Sequence, residues 1–319
     1  MICAFAVSFL ASFFLTKYGI GFLKKKRMGQ MILEIGPEWH KKKEGTPTMG
    51  GIFFIGAFVL SFLTCLLPRL LLDTTFDFVP LVVFAFVLMN AATGFVDDYV
   101  KFMKHQNKGL TALQKLVFQF GSAALFLVGM HFCGAIDTVL RLPFGLGAWD
   151  MGVFYYLFAL VFIVLVVNAV NLTDGLDGLA ASSVGAYLTF VVAFAASFAR
   201  GTVAVSVVGG LIGFLCFNRH PAKIFMGDTG SLFLGAVISS LAVWADMDLL
   251  LVLGGFVFLF EALSVVLQVG YFKLTHGKRL FKMAPFHHHL EKCGLSENQI
   301  VTIFVLVTVL GCSVAAFAF

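Results

Sequence analysis

The chain has 319 residues, 60% of them apolar and only 12% charged, with a formal net charge of +5. Soluble domains run near ~25% charged residues, whereas the mean hydropathy here is +0.98. The composition excludes a soluble globular protein, leaves nucleic acid out of the expected partners, and points to an all-α, polytopic integral membrane protein.

A helix needs about 18 or more consecutive apolar residues to cross hydrocarbon. Such runs cover residues 1–23, 49–69, 79–96, 112–133, 151–170, 179–199, 249–271 and 300–319. The first has no basic start and no A-x-A-like cleavage site, so it is read as a helix rather than a signal peptide. Two shorter runs, 203–217 and 231–245, flank a polar loop. Counted as spans, they give ten transmembrane helices, and as short spans they need tilt, bilayer thinning or partial re-entry. Between the fourth and fifth spans, residues alternate around Pro143-Phe144-Gly145, which predicts a small external β-hairpin. No linker, composition break or repeat divides the chain, so 1–319 is expected to form a single transmembrane domain.

Lys and Arg set the orientation. With alternating loops, all but three of the 22 fall on one side, and Arg69, Arg141 and Arg200 fall on the other. The basic side is expected to be cytoplasmic, and an even span count places both termini outside. The six cysteines show no C-x-x-C pair and no metal-ligand spacing.

The chemically capable residues lie with the basic loops. Asp97-Asp98-Tyr99 ends the third span. Adjacent carboxylates hold Mg²⁺ or act as a base, and at a helix C-terminus the dipole disfavours them, which argues against a merely structural pair. Asn168, Asn171, Asp174 and Asp177 follow at intervals of three, with Gly175 and Gly178 beside the aspartates. A continuous helix would spread these four around its circumference; a bent, glycine-containing loop would gather them. Capping by Thr173 or Asp174 with Asp177 accounts for two, and leaves two asparagines at membrane depth, where unpartnered polar groups are costly.

Further along, Asn218–Ser231 contains Gly227-Asp228-Thr229-Gly230. Glycines beside an aspartate let backbone approach a phosphate or metal; capping of span eight by Asp228 or Thr229 is the plainer alternative. Thr46-Pro47 reads as the N-cap and first residue of span two, behind Lys41-Lys42-Lys43. In the last basic loop stands His287-His288-His289. Adjacent histidines converge poorly on one zinc ion, so phosphate contact or base chemistry fits better. Glu261 and Gln268 fall within span nine on nearly one helix face. An ionisable residue at the bilayer centre costs roughly 2.5–3.5 kcal/mol unless it is partnered.

The strings KKKEGTPTMGG (41–51), FVDDY (95–99), NAVNLTDGLDGLA (168–180), IFMGDTGS (224–231) and PFHHHLE (285–291) closely resemble the polyprenyl-phosphate N-acetylhexosamine-1-phosphate transferases. Within them, the first and last strings resemble the bacterial phospho-N-acetylmuramoyl-pentapeptide transferases. The resemblance covers essentially the whole chain. It implies ten transmembrane helices, a homodimer, Mg²⁺ dependence and an active site on the cytoplasmic face of the inner (plasma) membrane. The implied reaction moves phospho-MurNAc-pentapeptide from UDP-MurNAc-pentapeptide to the membrane lipid undecaprenyl phosphate. The products are lipid I and UMP, in peptidoglycan synthesis and hence cell shape and division.

By the same resemblance, Asp97, Asp98, Asp228 and His288 form the catalytic set, with Asp228 the Mg²⁺ ligand. Lys43, Thr48, Lys115, Asn171, Asp174, Asp177, Asn218, Phe225, Gln268 and His287 match substrate-binding positions. Two schemes fit: attack by an aspartate to form a phospho-enzyme, or direct attack by the lipid phosphate with Asp97 or Asp98 taking its proton. The second is favoured, with Asp98 orienting or deprotonating that phosphate. A related enzyme using UDP-N-acetylglucosamine is the alternative. A transporter is disfavoured because transporter sites lie near the midplane, whereas these motifs cluster at one surface.

Overall fold

The computed structural model describes residues 1–26, 43, 45–72, 76–104, 108–195 and 197–318. Arg27, Trp39, His40, Lys41, Lys42 and Glu44 of the first basic loop lie outside the described residues. Among the latter, nine helical stretches are long and apolar enough to cross a membrane. They are α1 (Ile2–Lys25); a continuous stretch of α2 (Gly51–Ser61), a π-helical turn (Phe62–Leu66) and α3 (Leu67–Leu72); α4 (Val79–Met103); α5 (Ala112–Phe132); α6 (Phe154–Thr173); α8 (Phe198–Asn218); α9 (Gly227–Trp244); α11 (Phe256–Leu274); and α13 (Glu297–Ala318). A tenth apolar helix, α7 (Leu179–Ala193), has 15 residues. Two short helices, α10 (Asp248–Gly254) and α12 (Phe286–Lys292), complete the set.

The short spans were expected in the wrong place. The runs 203–217 and 231–245 belong to helices of 21 and 18 residues, α8 and α9. The expected span 179–199 instead stops at α7, and a new helix starts at Phe198 behind its N-cap Ser197, whose Oγ accepts from the Arg200 backbone N–H at 3.1 Å. Apolar residues continue through the break, so hydropathy does not register it. The ninth span is divided at Gly255 between α10 and α11. The hairpin forms as expected: β1 (Val139–Arg141) pairs antiparallel with β2 (Ala148–Asp150), Leu140 opposite Trp149.

At the centre stands α9, buried at every residue from Thr229 to Val243 and packed between α4 and α6. Around it α1 packs on α8 and α2, and α7 packs on α8 and α13. Lipid tails are as apolar as leucine, so helix contacts in a membrane lean on close packing and interhelical hydrogen bonds. Ser61 and Ser206 hydroxyls lie 2.8 Å apart, Asn90 Nδ2 donates to Ser122 Oγ at 3.2 Å, and Asn168 Nδ2 donates to Gln119 Oε1 at 2.7 Å. The last pair means that Asn168 ties α6 to α5 and is not an unpartnered polar group at depth. The hairpin end of the bundle is closed separately: Phe144 N donates to Ala318 O at 2.8 Å, and Asp137 N to Asp246 Oδ1 at 3.4 Å.

Candidate active site

The opposite end of the bundle gathers the acidic residues. Asp97 and Asp98 sit on α4, which runs on to Met103. The pair therefore lies inside the helix, not at its C-terminus, and the dipole argument against a structural role does not apply. Lys101, one turn later, places Nζ 2.6 Å from Asp97 Oδ2 and 3.0 Å from Asp228 Oδ2. Lys115, in the first turns of α5, lies 3.2 Å from Asp97 Oδ2 and also bonds Asp228 Oδ2. Asp97 Oδ1 accepts from Leu110 N at 2.8 Å, just before the Thr111–Gln114 capping box that starts α5. Asp228 Oδ1 accepts from Asn171 Nδ2 at 3.0 Å, and the same amide donates to Ser231 Oγ at 2.7 Å.

Asp98 has a different task. Its Oδ1 accepts from Asp228 N at 3.1 Å, and its Oδ2 accepts from Thr229 N at 2.9 Å and Thr229 Oγ1 at 2.7 Å. The first N–H groups of a helix have no partner within it, and here a carboxylate from another helix supplies one. Asp228 and Thr229 were candidate caps for this helix; α9 begins at Gly227, and Asp98 caps it instead. Gly227 holds φ +70°, and a Cβ there would press on Asp98 Oδ2 and crowd Thr48 Oγ1. That places the Thr48 hydroxyl beside the same turn.

The other loops are stitched to this one through backbone. Phe225 N donates to Pro47 O, Gly50 N to Phe225 O, both at 2.8 Å, and Gly51 N to Met226 O at 2.9 Å. Pro47 is thus a bridge residue, and neither it nor Thr46 caps α2, which starts at Gly51 behind Gly50. Asn218 is buried and donates from Nδ2 to Ile224 O at 2.8 Å, holding the loop that carries half-buried Phe225.

A second polar cluster lies among these loops. Lys43 Nζ is 2.7 Å from both Asp177 Oδ1 and Glu297 Oε2. Asp177 Oδ2 accepts from Ala222 N at 2.9 Å and lies 3.0 Å from His220 Nδ1. Neither Thr173 nor Asp174 caps α7: its N-cap is Gly178 at φ +74°, a conformation glycine adopts without strain. Because α6 continues to Thr173, Asn168 and Asn171 are helical, and only Asp174 and Asp177 sit on the turn.

Asp174 is pushed up to about 8, chiefly by burial and then by the carboxylates of Asp228, Asp98 and Asp177. An acid raised above its unfolded value binds more protons when folded, so it lowers stability as pH rises between the two values. The Tm difference between Asp174→Asn and the wild type should therefore move in favour of the variant from pH 5 to pH 8. A pH-independent difference in thermal melts would sink this reading.

Glu261 is fully buried in α11, and its two oxygens hold His287: Oε1 accepts from His287 N at 3.0 Å and Oε2 lies 2.9 Å from Nδ1. The ring abuts Gly175, where a Cβ would overlap Nε2, so His287 backs the 174–178 turn. His288 Nδ1 lies 2.7 Å from Glu291 Oε2, and His289 Nδ1 accepts from Lys282 N at 3.1 Å. The three histidines thus take three different partners. Gln268 Oε1 accepts from Phe281 N at 2.8 Å, tying the loop after α11 back to that helix.

Of the candidate residues, Asp97, Asp98, Lys115, Asn171 and Asp228 form one cluster, and Lys43 and Asp177 form a second. Lys101, His220 and Glu297 were missed. Lys101 was legible, since residues four apart on a helix are neighbours and it follows Asp97 at that spacing. Glu297 looked like an ordinary acidic residue in a first turn.

A family model described as glycosyl transferase family 4 matches residues 80–246. A signature described as phospho-N-acetylmuramoyl-pentapeptide-transferase signature 1 matches residues 43–55. A protein of Listeria innocua serovar 6a is 42% identical over 318 residues, covering 98% of this chain and 95% of its own. One of Shouchella clausii is 42% identical over 312 residues, 94% and 92% of the two chains. One of Clostridium kluyveri is 41% identical over 300 residues, 92% of each. All three bear the name phospho-N-acetylmuramoyl-pentapeptide-transferase. With this identity spanning nearly the whole length, and the signature beginning at the Lys43 that binds Asp177, the chain belongs to the phospho-N-acetylmuramoyl-pentapeptide-transferase family.

Proposed function

We propose that the chain transfers phospho-MurNAc-pentapeptide from its UDP carrier to undecaprenyl phosphate, giving lipid I and UMP, at the cytoplasmic face of the plasma membrane. The observation that carries this is the cluster at the helix ends. Carboxylate oxygens of Asp97, Asp98 and Asp228 lie within 4.8 Å of one another, with Lys101 and Lys115 set among them. A diphosphate from solution and a phosphate on a lipid have to meet at such a boundary, and both are anions.

The donor set suits Mg²⁺, which takes hard oxygen ligands and is bound by one or two carboxylates together with substrate phosphates. Three carboxylates face two ammonium groups, leaving a net negative charge that a divalent cation would offset. Asp228, the most exposed of the three carboxylates at 17%, and Asp97 would hold the ion. When bound, it would reduce repulsion between the two phosphate groups.

Direct transfer fits the geometry better than a phospho-enzyme. Both oxygens of Asp98 are engaged by α9, and freeing one for attack would uncap that helix. A phosphate monoester has a second pKa near ~6, so the lipid phosphate is largely dianionic at neutral pH without a strong base. Its oxygen bonds to the β-phosphorus of the donor as the bond to the UMP oxygen breaks, and UMP leaves with that electron pair. Asp98 acts from behind, fixing Asp228 through its backbone N–H rather than taking the proton itself.

The test is UMP release by purified protein with Mg²⁺, undecaprenyl phosphate and UDP-MurNAc-pentapeptide. Chelating the divalent cation should lower the rate roughly a hundredfold or more, with recovery on adding Mg²⁺; persistence in chelator would remove the metal role. UDP-N-acetylglucosamine as donor should give at most a trace, because the branch-specific signature includes the donor-side Lys43. Preference for that sugar would overturn the choice of branch.

A further inference from the structure

We infer that Glu297, the first residue of α13, is a positioning residue for the donor substrate, acting through Lys43 and Asp177; this rests on the transfer reaction proposed above. Its Oε2 accepts from Lys43 Nζ at 2.7 Å and from the Asp177 backbone N–H at 3.1 Å, and its Oε1 lies 3.5 Å from His220 Nδ1. One carboxylate thus joins three loops that are far apart in sequence: the segment before α2, the turn between α6 and α7, and the loop between α8 and α9.

The ordinary explanation for a glutamate at this position is support of its own helix. That task is already taken. Ser296 N donates to Gln299 Oε1 at 2.9 Å, and Gln299 N donates to Ser296 Oγ at 3.4 Å, a reciprocal cap that leaves Glu297 out. The Glu297 side chain is only 10% exposed and directed at the loops. A buried carboxylate holding both an ammonium and a loop amide fixes them in relation to each other, because charge-assisted hydrogen bonds are the strong ones.

The donor, rather than the lipid, is the substrate this would affect. Lys43 opens the signature specific to this branch, and members of the wider transferase group share a polyprenyl phosphate acceptor but differ in the donor. Asp97, Lys101, Lys115 and Asp228, where the two phosphates would meet, form a separate cluster of ion pairs among themselves.

Glu297→Ala removes both the charge and the acceptor, whereas Glu297→Gln keeps an acceptor oxygen without the charge. The KM for UDP-MurNAc-pentapeptide should rise roughly 10- to 100-fold in the alanine variant and less in glutamine, with the KM for undecaprenyl phosphate within about twofold of wild type. Independently of turnover, Lys43 should become more reactive toward an amine-specific acylating reagent, and the Asp177 amide should exchange hydrogen faster. Equal rises in both KM values together with a lowered Tm would make Glu297 a structural anchor and overturn the proposal. So would unchanged donor KM with unchanged Lys43 reactivity and Asp177 exchange. If the wild type fails to release UMP while the Lys43 and Asp177 readouts still respond, the reaction assigned above falls and the positioning role stands.

Discussion

Asp228→Asn should lower turnover by on the order of 10³-fold or more. The substitution preserves shape, and the amide oxygen still accepts from Asn171. At the position facing Lys101 and Lys115 it replaces a charged acceptor oxygen with an uncharged amide donor. The remaining carboxylates then only balance the two lysines, and the affinity for a divalent cation should fall with that balance. Asp98→Asn should behave differently. Its amide nitrogen would face the N–H groups of Asp228 or Thr229, donor against donor, at a site only 3% exposed. Leaving a buried polar group unsatisfied costs about 1–3 kcal/mol, so this variant should lose stability as well as activity. The pair is read by UMP release and thermal melts on the same preparations. Near-normal turnover in Asp228→Asn would remove Asp228 from the metal-binding role, and an unshifted melt in Asp98→Asn would remove the capping role from Asp98.

Much of this architecture is written in local sequence pattern. Hydropathy finds ten apolar stretches because each must match the bilayer, and the hairpin shows in alternation around Pro143-Phe144-Gly145. The charged motifs could be assigned to one end because basic loops alternate with apolar runs. What local pattern does not carry is how the loops pair in space. The Asp-Asp string gives no sign that Asp97 faces two lysines while Asp98 turns to cap a helix 130 positions away. Thr46-Pro47, Thr173 and Asp228 all have the composition of helix caps, yet tertiary contacts put the caps elsewhere. The break at Ser197 is invisible for a related reason: its flanks are as apolar as a span, and only the cap hydrogen bond marks the restart. Glu297 lies furthest from reach, since its partners come from three loops and its own helix needs nothing from it.

Gly94→Ala tests whether close approach of α4 to α9 is what assembles the site. A Cβ at Gly94 would overlap the carbonyl of Asp228 and the backbone nitrogen of Thr229. The obstacle is main chain, which cannot rotate aside as a side chain can. In an exposed helix interior the same change would stabilise by about 1 kcal/mol through propensity; overpacking of this kind costs about 1–3 kcal/mol or more, so the clash outweighs the gain. The two helices must separate, and the separation pulls Asp98 from the amides it caps and Asp97 from the oxygen of Asp228 with which it shares Lys101 and Lys115. Misplacement by about 1 Å can cost 10²-fold in rate, so activity should fall by at least that factor, with a smaller decline in Tm. Gly121→Ala is the matched control: it lies in α5, and a Cβ there meets nothing within 4 Å. That variant should keep full activity and melt at or slightly above the wild type. Full activity in Gly94→Ala would mean that the helices can part without disturbing the carboxylates, and that the site is held by its loops rather than by the packing of α4 on α9.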